Sequence, residues 1–302
     1  MRAGVPKRWV AVARKARYGD DGAGAGSVCC WAGSVCLFSQ AGVGVVARNG
    51  YMAGGTVDEI IRFVNGRTAH VVRASHDTDV HEILSALFLG SPKALVVISG
   101  GAGGMSEDEI NSARPLFVDG LARLAAQERI AILDGGTSAG VMALTGEGAA
   151  RYGLTAPLIG VCPAAKVSWP GHPNPEAEAE LEPHHSHFVF LEGPEFGTES
   201  GTIYAMADAL GAQMPSVALV VNGGPIVYDE VLRNAKQGRE LIVLKGSGRA
   251  ADVIAAAWEM SQFDDPRIAE TVRRGKIVLF DVAEGPERLS CLIRQRLWRQ
   301  TP

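Results

Sequence analysis

The sequence predicts a doubly wound α/β fold, a mostly parallel sheet with helices on both faces. Three observations lead there. Apolar runs of four to six residues recur between Ala94 and Phe280, each followed by a stretch with helical spacing. The runs are continuous rather than alternating, which is the pattern of strands buried on both faces, as parallel sheets require. Many of them end in glycine clusters, at the place where such folds turn from strand to helix and hold their ligands. The 302-residue chain carries 37 glycines, with hydrophobic residues at 47% and charged ones at 21%, so a large core is within reach.

Taken in order, the first 52 residues are a different kind of sequence. Lys7, Arg8, Arg14, Lys15 and Arg17 precede Gly-Ala-Gly-Ala-Gly and an apolar stretch from Val28 to Ala47. That layout has features of a signal peptide or membrane anchor, but Gly, Ser and Gln40 dilute it and no clean apolar span emerges. The expectation for residues 1–52 is a disordered extension or a mis-assigned start, with Met52 opening the folded protein and no membrane role. Residues 53–302 are then expected to form a single Rossmann-like domain. Within it, Ile60–Val64 and Thr68–Ala74 flank Asn65-Gly66, a dipeptide that favours a tight hairpin turn. A helix is expected over His76–Phe88. Strands are expected at Ala94–Ser99, Ile130–Leu133, Leu158–Cys162, Phe188–Leu191, Val217–Val221, Leu241–Leu244 and Ile277–Phe280. Val167–Pro183, with four prolines, reads as a long excursion between strands, the kind of segment that serves as a lid or contacts a partner. The helix around Leu289–Leu297 is either core or a dimer surface.

Charge and cysteine usage narrow the class. The formal net charge of −4 carries no global basic signature, so no nucleic-acid partner is expected. The five cysteines, Cys29, Cys30, Cys36, Cys162 and Cys291, are odd in number and fit no common zinc spacing, which predicts a reducing, cytoplasmic setting without disulfides.

The strand ends carry the chemistry. After Ile98-Ser99 come Gly100, Gly101, Ala102, Gly103 and Gly104, whose freedom at positive φ lets a phosphate approach backbone N–H groups at a helix start. After Leu133-Asp134 come Gly135, Gly136, Thr137, Ser138, Ala139 and Gly140, where the two hydroxyls can cap the helix and donate to a phosphate. His184, His185 and His187 crowd before a third strand, and Glu192, Glu195 and Glu199 follow it, with Gly197 and Thr198 opening the next helix. The histidine spacing lacks the outside partners a metal site needs, so none is expected; one of them, taken as His187, is expected to hydrogen-bond in the cleft. The fourth turn is Asn222-Gly223-Gly224-Pro225, with the proline placed for a helix start. The fifth is Lys245-Gly246-Ser247-Gly248-Arg249, where backbone donors and a forked guanidinium suit a pyrophosphate. The alternative for Arg249 is a surface ion pair with Asp252.

These turns in this order resemble the SLOG superfamily, named for the Smf/DprA and Lonely Guy (LOG) proteins. They resemble more closely its bacterial LSDAT branch, related to the amino-terminal region of melastatin-type TRP channels. The resemblance covers about Ile60 to Val282 and rests on Gly-Gly-Thr-Ser-Ala-Gly-Val-Met, His-Ser-His-Phe and Gly-Ser-Gly-Arg-Ala-Ala-Asp. It implies a nucleotide pocket of the kind that holds ADP-ribose, lined by Gly135, Gly136, Thr137 and Arg249. A tyrosine–arginine pair that the channels place after the third strand is missing, and Phe196, Thr198, Glu199 and Tyr204 stand there instead.

Two functions from different classes are consistent with this pattern. One is a sensor that binds ADP-ribose or a related nucleotide without turnover, needing no further cofactor. The other is a LOG-like hydrolase of an N-glycosidic bond, in which Glu195 or Glu199 faces the oxocarbenium-like centre and Arg249 holds the phosphate. A third reading is a partner-binding protein with a vestigial pocket. Association into a homo-oligomer is in keeping with the superfamily. The Gly-x-Gly-x-x-Gly fingerprint of dehydrogenases is missing, and a hydrolase elbow at Ser138 is not expected.

Overall fold

The computed structural model describes residues 46–47 and 57–298. β1 (Val46–Ala47), β2 (Val57–Arg62) and β3 (Thr68–Ala74) pair antiparallel. The remainder of the expected extension lies outside the described residues. α1 (Val80–Leu87), capped by the Asp79 carboxylate on the His81 N–H, leads to β4 (Ala94–Gly100). α2 (Glu107–Pro115), a π-helical segment (Leu116–Ala122) and α3 (Arg123–Glu128) cross over to β5 (Ile130–Asp134). α4 (Gly140–Tyr152) leads to β6 (Leu158–Pro163). The excursion that follows holds two short paired strands, β7 (Val167–Ser168) and β8 (Ala179–Glu180), before β9 (His187–Leu191). There follow α5 (Ser200–Gly211), β10 (Ser216–Val221), α6 (Ile226–Lys236) and β11 (Glu240–Lys245). α7 (Arg249–Met260), α8 (Pro266–Arg274), β12 (Lys276–Asp281) and α9 (Pro286–Leu297) come last.

The ten-stranded sheet has the order β1-β2-β3-β9-β6-β5-β4-β10-β11-β12 and is parallel from β3 onward. From β4 the chain steps through β5 and β6 to β9 in one direction. It then returns to lay β10, β11 and β12 on the other side of β4. The topological switch point, where ligands of this architecture bind, therefore lies between β4 and β10.

Alternate residues of the central strands feed opposite faces. Val96, Ile132, Leu219 and Ile242 pack against α2, α4 and α9 through Ala113, Leu144 and Leu289. Val97, Leu133 and Val161 pack against α1 and α5 through Leu87 and Met206, while Val220 and Val243 pack against α6, α7 and α8. Leu289, Ile293 and Leu297 belong to the first of these clusters, and Ser290 Oγ donates to the Gly120 carbonyl at 3.0 Å. The last helix is thus core on its apolar face. Among the described residues no helix is long and apolar enough to cross a membrane.

The elements differ from the sequence expectation mainly at their ends. The hairpin pairing stops at Arg62 opposite Thr68, so the turn spans residues 63–67 rather than two residues. Gly66 at φ 81° donates to the Phe63 carbonyl, and Asn65 Oδ1 accepts from the Arg67 N–H. The helix expected from His76 starts at Val80, because the Asp79 side chain caps it by accepting from the His81 N–H in its first turn.

Candidate functional site at the switch point

The carboxyl ends of β4, β5, β9, β10 and β11 open on one cleft of about 440 Å³. Its floor consists of turns packed backbone to backbone. A Cβ on Gly140 would stand 1.8 Å from the Gly101 oxygen, and one on Gly100 would stand 2.4 Å from the Val221 oxygen. The Val141 N–H donates to Gly101 O at 2.8 Å, and the Ala250 and Ala251 N–H groups donate to Gly223 O and Asn222 O. The first turns of α4 and α7 are therefore partly spent on docking their neighbours. α2 is likewise self-capped: Ser106 Oγ accepts from the Glu109 N–H, and Glu109 accepts from the Ser106 N–H. That bond from the Ser106 backbone helps hold the Glu109 carboxyl below its ordinary range.

Asn222 ties the turns after β10 and β11 together. Its Nδ2 donates to Ser247 O at 2.7 Å and Glu109 Oε1 at 3.0 Å, and its N–H donates to Ser247 Oγ at 2.9 Å. Gly248 is needed here, because a Cβ would lie 2.2 Å from Glu109 Oε1.

One pole of the cleft carries a cation and free backbone donors. Arg249, the first residue of α7, has φ 51°, and its guanidinium nitrogens lie 3.1 and 3.5 Å from where Cβ atoms of Gly104 and Gly224 would stand. The cation thus runs along both turns that flank the switch point. It forms no ion pair among the described residues, and Asp252 instead accepts from the Gly246 and Gly248 N–H groups at 2.6 and 3.1 Å. The N–H groups of Ala102, Gly103, Gly104 and Gly224 donate to no acceptor among the described residues. An unpaired guanidinium beside unspent backbone donors is the chemistry that takes a phosphate.

The other pole is acidic, with Asp134, Glu178, Glu199 and Glu230 on the wall. Asp134 is 2% exposed. Its Oδ1 accepts from the Gly136 N–H at 2.8 Å and from His185 Nε2 at 2.9 Å, while His185 Nδ1 donates to Glu182 Oε2 at 2.9 Å. Burial presses the His185 ring toward neutrality, but the Asp134 charge and the bonds to both carboxylates outweigh it and raise the ring to about 9. Burial also works against the Glu182 charge, yet the bonds from His185 and His184 hold that carboxyl below its ordinary value. Burial raises Glu199, whose Oε2 accepts from the Gly197 N–H at 2.8 Å. Burial, with the Glu199 charge nearby, raises Glu230 to about 7 even though the neighbouring Tyr204 and Ser200 hydroxyls work in the other direction. Tyr204 in turn stands 2.7 Å from Ser99 Oγ. A second hollow of about 470 Å³ continues past Glu230 over Thr198, Asp229 and Arg233.

The residues singled out in the sequence fall into two groups. Gly100, Gly101 and Gly103, Gly135 and Thr137, Gly197 and Glu199, Gly223 and Gly224, and Arg249 line the cleft. The others stand elsewhere. Gly136 is buried against Gly160 and Phe188, with a would-be Cβ 2.7 Å from Gly160 Cα. Ser138 Oγ donates to Leu181 O at 3.1 Å and tethers the excursion before β9. Gly246, Ser247 and Gly248 form the bracket beneath Arg249. Thr198 lines the second hollow and donates to Glu195 O at 2.8 Å. Glu195 is turned outward, its side chain 69% exposed and 3.7 Å from Lys166 Nζ. His187 opens β9 at the end of the sheet away from the cleft, edge-on to His70, and burial lowers its ring to about 4. Among the lining residues that sequence reasoning did not assign are Asp134, Glu178, Tyr204 and Glu230. Asp134 had a local signal, its place directly before the glycine pair, whereas Glu230 reaches the cleft from the second turn of α6.

Residues 93–290 match the family described as SLOG in TRPM, prokaryote. That span holds every turn of the cleft. The chain is 26% identical over 287 residues to a transient receptor potential cation channel subfamily M member-like 2 of Nematostella vectensis, covering 76% of this chain and 18% of that protein. It is 25% identical to subfamily M member 1 of Mus musculus, covering 66% of this chain and 14% of that protein. Member 2 of the same organism is 23% identical, with 66% and 16% covered. The chain thus spans less than a fifth of the length of these relatives. With the parallel sheet, the ordered glycine turns and the family match over residues 93–290, this chain belongs to the SLOG in TRPM, prokaryote, family.

Proposed function

We propose that this chain binds a nucleotide, ADP-ribose or a close relative, in the switch-point cleft and acts as a sensor rather than a catalyst. The observation that carries this reading is the anion pole. Among the described residues Arg249 forms no ion pair, and it lies along two glycine turns in which the N–H groups of Ala102, Gly103, Gly104 and Gly224 have no acceptor. A diphosphate would take both kinds of donor at once, and the cleft of about 440 Å³ suits a ligand of nucleotide size. The test is to mix the full chain separately with ADP-ribose, NAD and AMP, following thermal stability and the chromatography of the small molecules. The expected result is a stabilised protein with intact ligand. In Arg249→Ala, affinity should fall about 10- to 100-fold, the loss of one charge-assisted bond of roughly 1.5–3 kcal/mol. Unchanged affinity in that variant would sink this reading.

A hydrolase is the second reading, and the adjacent raised carboxyls of Glu199 and Glu230 favour it. A protonated carboxyl on the wall can donate to a departing base while water attacks the anomeric carbon, releasing free base and a ribosyl phosphate. Released base or nicotinamide, lost in Glu199→Gln or Glu230→Gln and kept in the outward-facing Glu195→Gln, would replace the sensor with an enzyme.

A further inference from the structure

Asp134 is the most enclosed carboxylate on the cleft wall, and one of its oxygens is unspent. Oδ1 takes two donors, the Gly136 N–H and His185 Nε2, whereas Oδ2 is buried and has no partner among the described residues. A carboxylate oxygen shut away from water without a donor is costly, so such a group marks a place where a donor arrives in the working state. The carboxylate cannot swing away to find one. His185, itself buried and charged, holds it from behind and is held in turn by Glu182, which accepts from both the His184 N–H and the His184 ring. Four residues of this chain are thus spent on presenting one oxygen at the end of β5.

We propose that Asp134 Oδ2 accepts a ribose hydroxyl of the bound nucleotide and so distinguishes ribose from deoxyribose ligands. This rests on the nucleotide reading above and adds the sugar to it. The juxtaposition supplies the argument: the anion pole sits on the turns after β4 and β10, and Asp134 ends the strand next to β4. A ligand with its diphosphate along Arg249 carries its sugar one strand over. An acidic side chain taking a ribose hydroxyl is a general solution in doubly wound nucleotide sites, where it is delivered by a different strand. Met142 lines the same cleft. Its flexible thioether lies 3.7 Å from the Thr137 hydroxyl and 3.0 Å from a would-be Cβ on Gly135, on the same wall.

The experiment titrates the full chain with ADP-ribose, with analogues lacking a single hydroxyl on either ribose, and with inorganic pyrophosphate. In the unaltered protein, removal of one particular hydroxyl should weaken binding about 10- to 100-fold, the worth of one bond to a charged acceptor. In Asp134→Asn that discrimination should collapse while pyrophosphate binds as before. If ADP-ribose and pyrophosphate bind but every hydroxyl is dispensable, or if the Asn variant still discriminates, the inference falls and the anion pole stands. If neither binds, both fall together. A crystal structure of the unaltered protein with ADP-ribose decides the matter should the variant not fold. A ribose oxygen within about 3.2 Å of Oδ2 supports the assignment, and an ordered water there in its place overturns it.

Discussion

His185 shows how much a single buried residue can be made to do. It is fully enclosed yet charged, because Asp134 and Glu182 accept from its two ring nitrogens at 2.9 Å each. Its ring is raised from 6.5 to about 9 in the folded protein, so the folded state binds the proton more tightly than the unfolded chain. That contribution to stability is fully present below the unfolded value and is lost as the pH climbs through about 9. Thermal melts should therefore show the midpoint falling between about pH 7 and 9.5, with a shallower fall in His185→Gln. Equal slopes in the two proteins would rule out this source of pH dependence. At the same scale, the local signals that sequence offers are uneven. The place of Arg249 on the cleft wall was legible, because it follows Gly-Ser-Gly at a strand end, where such folds open their clefts. The outward turn of Glu195 was not, since a carboxylate near a Gly-Thr motif looks the same whether it faces ligand or Lys166.

Elements meet at the cleft through glycine, and the demand differs from one glycine to the next. Gly140 opens α4 at φ 50° with the Gly101 carbonyl where a Cβ would go. Gly153 ends the same helix at φ 67° with open space around it. Both substitutions to alanine strain the backbone, by about 1 kcal/mol at Gly153. Gly140→Ala must in addition push apart the turns after β4 and β5, and its cost should be about 2–4 kcal/mol. Urea unfolding of the two variants measures the difference, and similar losses would show that backbone contact at Gly101 is unimportant. The strands themselves were legible almost to the residue, as at Ala94–Gly100 against an expected end at Ser99. Continuous Val, Ile and Leu runs have few alternatives to burial on both faces. The hairpin was less so, because the dipeptide Asn65-Gly66 specifies a turn but not how many residues around it stay unpaired.

At the scale of the whole molecule, the cleft exists because two halves of the sheet wind away from β4 in opposite directions. A ligand on Arg249, as proposed, would bridge the turn after β4 to the turn after β10 and so couple the two halves. Saturating ADP-ribose at a hundred times its Kd should stabilise the fold by about 2.7 kcal/mol. Hydrogen exchange should slow at Ala102, Gly103, Gly104 and Gly224 and stay unchanged near His187, at the far end of the sheet; protection there instead would place the ligand elsewhere. The sequence alone determined which segments are strands and where the backbone must come close. Those properties are local: a run of β-branched residues sets burial, and a missing Cβ permits contact. The partners across the sheet were decided only by the tertiary structure. Nothing near Gly104 or Gly224 in sequence announces that Arg249 will lie along both, and nothing near Asp134 announces His185. Such meetings depend on strand order, which long-range packing of the two faces selects and no local spacing encodes.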